Sequence, residues 1–253
     1  MRVRLMWVGL VLLSILVGCT SAVPVPRPGQ LLYVTTFDAF NEDWEQFEGR
    51  LAAQVVGEGQ NPALQLTIDN VQDGAFTVAE PVFSDFDLVV EVTQVAGPDN
   101  NGFGVLFRYQ DTRNYYVFYI SGDGWYSLEQ RIDGVAEVLS DWSQSAAIRQ
   151  GQATNTLRVV ARGQTFSFFV NDEPLLLCPT LWNPANPSEC MQGEASPELT
   201  VTSLPAQGRI GLGARTFDQS GVVIAFDNML VCGPYETTSI PFMCEELPPG
   251  QAE

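Results

Sequence analysis

The chain has 253 residues, 45% hydrophobic, with 30 acidic against 12 basic side chains and a formal net charge of −18. That is enough apolar material for a core, and too much negative charge for a surface that holds phosphate backbones, so nucleic acid is not an expected partner. Every cation is arginine: there is no lysine and no histidine, which removes Ser-His-Asp and Cys-His catalysis, Schiff-base chemistry, histidine-bound zinc and the phosphate-loop lysine.

Arg2 and Arg4 precede an apolar run from Leu5 to Val17, too short for a comfortable membrane span. It ends Leu16-Val17-Gly18-Cys19, the pattern of a bacterial lipoprotein signal, cut before a cysteine whose sulfur is then acylated. Residues 1–18 therefore read as a removable signal peptide and Cys19 as the lipidation site. With each buried CH₂ contributing about 0.8 kcal/mol, two or three acyl chains hold a protein on a bilayer. The expected location is the bacterial cell envelope, lipid-anchored to the membrane and facing the extracytoplasmic side. Residues 19–30, which run TSAVPVPRPGQ from Thr20, read as a Pro-rich tether, extended and partly stiff.

From Leu31 onward the pattern has period two. Short runs rich in β-branched and aromatic residues recur at Leu64–Ile68, Asp87–Thr93, Gly104–Tyr109, Tyr115–Ile120, Trp125–Arg131, Thr156–Arg162, Thr165–Val170, Arg209–Ala214 and Val222–Phe226. Strands favour such residues. Turn signals separate them at Gly122-Asp123-Gly124, Asp133-Gly134, Arg162-Gly163 and Asn171-Asp172. About a dozen antiparallel strands must close or stack into two sheets, so the expected fold is all-β, an antiparallel β-sandwich spanning residues 31–231. A Pro- and Asn-rich insertion interrupts it at about 178–207, and residues 232–253 form a C-terminal tail.

Four cysteines besides Cys19 fit an oxidising compartment: Cys178, Cys190, Cys232 and Cys244. They allow three pairings, and sequence alone does not choose. Sequential pairing is the economical expectation, because each pair then closes a short loop-like segment, stabilising by about 3 kcal/mol in the chain-entropy model. A four-cysteine zinc site is the rival, but its CxxC knuckles are absent.

The segment Asn101-Gly-Phe-Gly-Val-Leu-Phe-Arg-Tyr109, with Asn114-Tyr-Tyr-Val-Phe-Tyr-Ile120 and Gly124-Trp-Tyr-Ser-Leu128, resembles the concanavalin A-like lectin/glucanase sandwich. The likeness is closer to the laminin-G-like and keto-disaccharide-hydrolase-type versions found on bacterial surface proteins. Asn155-Thr-Leu-Arg-Val159, Phe169-Val-Asn171, Gly208-Arg-Ile-Gly-Leu212 and Phe226-Asp-Asn228 extend it. The resemblance implies a jelly-roll fold, and a superfamily of lectins, carbohydrate-binding modules, glycosidases and adhesion domains, so it leaves the activity open.

Hydrolysis needs two carboxylates facing across a cleft. The resembling glucanases carry theirs on one strand as Glu-x-Asp-x-x-Glu, and this chain has no such cluster. Asp87 and Glu91 share a strand face by parity, and Glu129 lies among aromatics without a nearby acid. The chain reads as a non-enzyme. Alternation does supply a binding face: with Phe107, Tyr116, Phe118, Ile120, Tyr126 and Leu128 inward, three strands present Arg108, Tyr115, Tyr119, Trp125, Glu129 and Arg131 outward. Rings suit the apolar faces of a pyranose, and arginine grips carboxylates. The same side chains also make a purely structural cross-strand ladder. Asp38 and Asp227 resemble positions where such sandwiches hold a structural calcium, which takes 6–8 oxygen ligands. The leading expectation is a lipoprotein whose sandwich binds a glycan or envelope component without catalysis. An assembly protein contacting another envelope protein, and a glycoside-processing enzyme, are the alternatives.

Overall fold

The structure is a computed structural model that describes residues 23–38, 42–57, 62–238 and 241–245; the expected signal peptide and Cys19 lie outside them. Among the described residues the regular structure is all strand. In chain order the strands are β1 Leu31–Thr35, β2 Leu51–Val56, β3 Ala63–Ile68, β4 Gly74–Phe83, β5 Phe86–Ala96 and β6 Asn101–Asp111. Then come β7 Asn114–Ile120, β8 Trp125–Ile132, β9 Val135–Gln144, β10 Asn155–Arg162 and β11 Thr165–Val170. Four short strands follow, β12 Glu173–Pro174, β13 Trp182–Asn183, β14 Asn186–Cys190 and β15 Leu199–Thr200, before β16 Gly208–Thr216 and β17 Val222–Cys232.

They build two antiparallel sheets and a small β13–β14 hairpin. The first sheet runs β12-β11-β10-β5-β17-β3-β2, with β1 and β15 added on β17 and β11; the second runs β4-β16-β6-β7-β8-β9. Their inner faces meet in one core, where Phe103, Phe107 and Phe118 of the second sheet pack on Phe166, Phe168 and Leu157 of the first. The Phe118 and Phe168 rings lie 4.8 Å apart, and those of Phe107 and Phe166 5.0 Å apart. Each buried ring of this kind contributes about 1.5–3 kcal/mol by leaving water. The sandwich expected from period two is the fold observed, and β17 is its longest seam: β5 borders it along one side, while β3 and then β1 border the other.

Besides the short strands β12 to β15, the strands that the apolar runs did not mark are β1, β2, β4 and β9, each at the margin of its sheet. A margin strand buries less, so its alternation weakens, and it tolerates proline. Pro81 lies in β4 where the register with β16 shifts, and β9 opens with four exposed residues, both usual for edges. The sequential cysteine pairing is the one formed, Cys178–Cys190 and Cys232–Cys244. The segment from Cys178 to Gln207 contributes the β13–β14 hairpin and β15, which joins the first sheet.

Arg108 is a correction. Alternation after Phe107 places it outward, yet it is fully buried. Its backbone is left-handed, at φ 52°, where the pairing of β6 with both neighbours shifts register, and such a bulge re-aims the side chain. The guanidinium ties the sheets together at one end of the sandwich, donating to the carbonyls of Ser84, Phe83 (3.3 Å) and Gly163 (2.8 Å). It also lies over the rings of Phe86 and Phe166 and 3.9 Å from Asp85. Burial pushes it down to about 10, with Asp85 opposing the shift, so it stays charged at neutral pH. Arg108→Ala would strip several buried carbonyls of their donor, and we expect a loss of about 3 kcal/mol or more, read as a lower urea midpoint.

Candidate functional site

On the second sheet, Tyr116, Phe118, Ile120, Tyr126 and Leu128 face the core, so Tyr115, Val117 and Tyr119 face away from it. These outward residues are covered rather than exposed. Tyr115 and Val117 form a second apolar cluster with Leu106, against which Phe76, Tyr109 and Tyr119 pack. The Tyr109 and Tyr115 rings stack at 6.0 Å, and Phe76 leans on both at 5.9 and 5.7 Å.

Arg215 organises the middle of this face. Its cross-strand neighbours are Gly74 on β4 and Gly102 on β6, so no side chain beside it obstructs its path. A Cβ on Gly102 would lie 3.0 Å from Arg215 Nε. The guanidinium thus reaches over β6 and β7 to β8, where it meets Glu129 in a bidentate pair, Nη1 to Oε2 2.9 Å and Nη2 to Oε1 2.6 Å. Three rings surround it: Tyr119 at 4.4 Å, Phe217 at 5.0 Å and Trp142 at 5.4 Å. Tyr119 and Trp142 are themselves near-parallel, 17° apart in plane, and Phe217 meets Trp142 edge-on. A charge so enclosed costs little only because its carboxylate partner is enclosed with it.

The surface here sinks into two adjoining depressions. The first, about 530 Å³, is bounded by Asp73, Phe76, Tyr115, Tyr119, Glu129, Arg131 and Arg215. The second, about 510 Å³, is bounded by Asn100, Asn101, Ser121, Asp123, Trp125 and Trp142. Phe217 borders both. Of the side chains expected on this face, Tyr115, Tyr119, Glu129 and Arg131 share the first depression, Trp125 stands in the second, and Arg108 is absent because it lies inside the sandwich. Arg131 donates to the Gly134 carbonyl at 3.2 Å and lies 5.9 Å from the Tyr115 ring.

Arg215, Trp142 and Phe217 were not expected here. For Arg215 a signal was present: in Arg209-Ile-Gly-Leu-Gly-Ala-Arg215, alternation sends Ile210, Leu212 and Ala214 to the core and Arg215 out among glycines. Trp142 is a wall of the groove on β9.

The titratable groups divide by surroundings. Burial pushes the Tyr119 hydroxyl far up, and Tyr109, Tyr116 and Tyr126 up for the same reason. Asp73 is held below the usual carboxylate range by a hydrogen bond from Asn70 and another from the Gly74 N–H. On the other sheet, the Asp227 carboxyl is pushed up by burial and further by Glu91 and Asp38. Asn228, left-handed at φ 49°, donates to Glu91 at 2.8 Å, and Thr36 donates to Asp38. A cation would relieve the repulsion at Asp227; among the described residues no three aspartate, glutamate, cysteine or histidine side chains are grouped to hold a metal.

No protein-family model matches the chain, and comparison with the curated proteins gives no match. Solved structures do. The carbohydrate-binding module CBM66 from Bacillus subtilis is 17% identical, with a TM-score of 0.52 over 75% of this chain and 95% of that one. A Bacillus subtilis protein of unknown function with a galectin-like fold is 11% identical, TM-score 0.54, over 82% and 97%. The Bacillus licheniformis β-glucanase is 9% identical, TM-score 0.52, over 83% and 100%. These likenesses show the fold: the chain is an antiparallel β-sandwich of the concanavalin A-like kind. The fold carries a binding module and a glucanase alike, so function has to be argued from the site.

Two outcomes are expected of the buried groups. Tyrosines whose folded pKa lies above the unfolded 10.0 keep their protons while an unfolded chain releases them. Their contribution to stability is therefore whole below about pH 10 and lost as pH rises beyond it. An alkaline titration followed by tyrosinate absorbance should show these four of the seven tyrosines ionising late, together with unfolding. A double-mutant cycle with Arg215→Met and Glu129→Gln should return a coupling of about 1–2 kcal/mol in urea unfolding, since both side chains keep some exposure.

Proposed function

We propose that this protein is a membrane-anchored extracytoplasmic lipoprotein whose sandwich binds a glycan or another envelope component without hydrolysing it. The observation that carries the reading is the aromatic groove around Arg215, where Tyr119, Trp142 and Phe217 are already immobilised by the guanidinium. Rings held in place lose little freedom on binding, so more of their contact with a pyranose face appears as affinity. Polar side chains at the rim, Arg131 beside the first depression and Asn100 beside the second, offer hydrogen bonds to hydroxyl groups.

The charges of the groove support binding over hydrolysis. A glycosidase needs one carboxyl kept protonated as the acid and a second facing it. In the first depression Glu129 gives both oxygens to Arg215, and Asp73 is held ionised by Asn70 and Gly74. In the second, Asp123 accepts from Ser121. None of the three is arranged as a proton donor.

A glycan array tests the reading, run on the chain from Thr20 onward with calcium and again with chelator. Reproducible binding is expected, reduced about tenfold or more by Trp142→Ala or Tyr119→Ala, the size of one lost ring contact. Loss of binding with chelator would tie calcium to Asp38 and Asp227. A folded protein that stays silent on the array under both conditions overturns the glycan reading in favour of a protein partner.

A further inference from the structure

The segment ahead of β1, read from the sequence as a Pro-rich tether, is docked along the sandwich from Val23 onward. Val23 N–H donates to Gln207 Oε1 at 3.1 Å, and the Pro24 carbonyl accepts from Ser84 Oγ at 2.8 Å. Further on, Gly29 and Gln30 are threaded between two parts of the C-terminal segment. Gly29 N–H donates to the Gly233 carbonyl at 2.8 Å, Gly233 N–H to the Gln30 carbonyl at 2.8 Å, and Glu245 N–H to the Gly29 carbonyl at 2.6 Å. Gly233 and Glu245 each adjoin one half of the Cys232–Cys244 disulfide, so a covalently closed loop grips the arm. The fit is close: a Cβ on Gly233 would collide with the Arg27 carbonyl.

Only residues 20–22 separate this docked arm from Cys19, a reach of at most about 14 Å. The arm leaves the body at a definite place. Gln207 and Ser84 lie where β16 begins and β4 ends, since Gly208 pairs with Phe83. The same end exposes Val25 and Val82, 72% and 44% accessible. Thr216 and Asn101, which pair with each other, mark the opposite end of the sheet, about 25 Å away at 3.3 Å per residue. The second depression, with Asn100, Trp125 and Phe217, belongs to that far end.

We infer that the sandwich stands on the lipid bilayer by its Ser84–Gln207 end, with the six-stranded sheet pointing away from the membrane and the Trp125 depression outermost. The inference rests on the reading of Cys19 as lipidated. The chain is too short there to let the body turn over: Gln207 and Ser84 hold Val23 and Pro24, and the disulfide loop holds Gly29 and Gln30, so the arm does not peel off to lengthen it. The groove thus opens towards material beyond the membrane, such as a polymer, rather than towards the headgroups beneath it.

The test uses full-length protein isolated from membranes and placed in phosphatidylcholine vesicles carrying a nitroxide on the headgroup. A fluorophore is attached at Val82→Cys or at Ser220→Cys, and intact mass shows whether Cys19 carries lipid. The label at position 82 should be quenched several-fold more than that at 220, and a long Gly/Ser insertion between Ala22 and Val23 should erase the difference. Equal quenching at both positions on lipidated protein overturns the orientation alone. A protein whose Cys19 bears no lipid overturns the anchoring reading and the orientation with it.

Discussion

A six-stranded sheet with one face against a core must put every second side chain somewhere other than the core, and the outward half of this sheet is as aromatic as the inward half. Inside, the Phe103, Phe107 and Phe118 rings close the sandwich. Outside, Phe76, Tyr109, Tyr115 and Tyr119 cover one another. A contiguous apolar patch of this kind fully open to water would favour aggregation; packed on one another and partly covered by Arg215, the rings become a fixed surface. The glycines opposite Arg215 keep that surface from filling completely, because strands without side chains leave a trough.

Charge is handled in the same way throughout the fold: arginine is buried only with partners. Arg215 has Glu129, Arg158 has Asp87 at 2.7 and 2.8 Å, and Arg108 has main-chain carbonyls with Asp85 nearby. Burial nonetheless pushes the Asp87 carboxyl up, against the pull of Arg158, a sign that desolvation outweighs attraction in that pair. The groove is thus locally compensated although the chain as a whole carries −18. Rings and hydrogen-bond donors, rather than net charge, are what it presents to a ligand.

The ends of the chain are joined in one device. The disulfide between Cys232 and Cys244 closes the loop that holds Gly29 and Gln30, and β1 then runs beside β17. Loss of the bridge would free the loop ends and, with them, the grip on the arm. A disulfide that chiefly limits the unfolded chain here also closes the loop that holds Gly29 and Gln30 against the C-terminal segment.

Composition and period two by themselves determined the all-β class, the inner face of the central strands and the absence of histidine or lysine chemistry, whereas the choice among three cysteine pairings was made only by the fold. Central strands are legible because both their faces are constrained. The margin strands β1, β2, β4 and β9 are not, since one side meets no neighbouring strand and polar residues and proline are tolerated. Tyr115, Tyr119, Glu129 and Arg131 border one depression, because parity is a local property of a strand. The failure at Arg108 came where a left-handed residue broke that parity. Trp142, Phe217 and Arg215 come from different strands and a loop, and no spacing in the chain records that they meet. Their convergence, and the docking of residues 23–30 beside Gly233, were decided only by tertiary structure, because each depends on contacts between segments far apart in sequence.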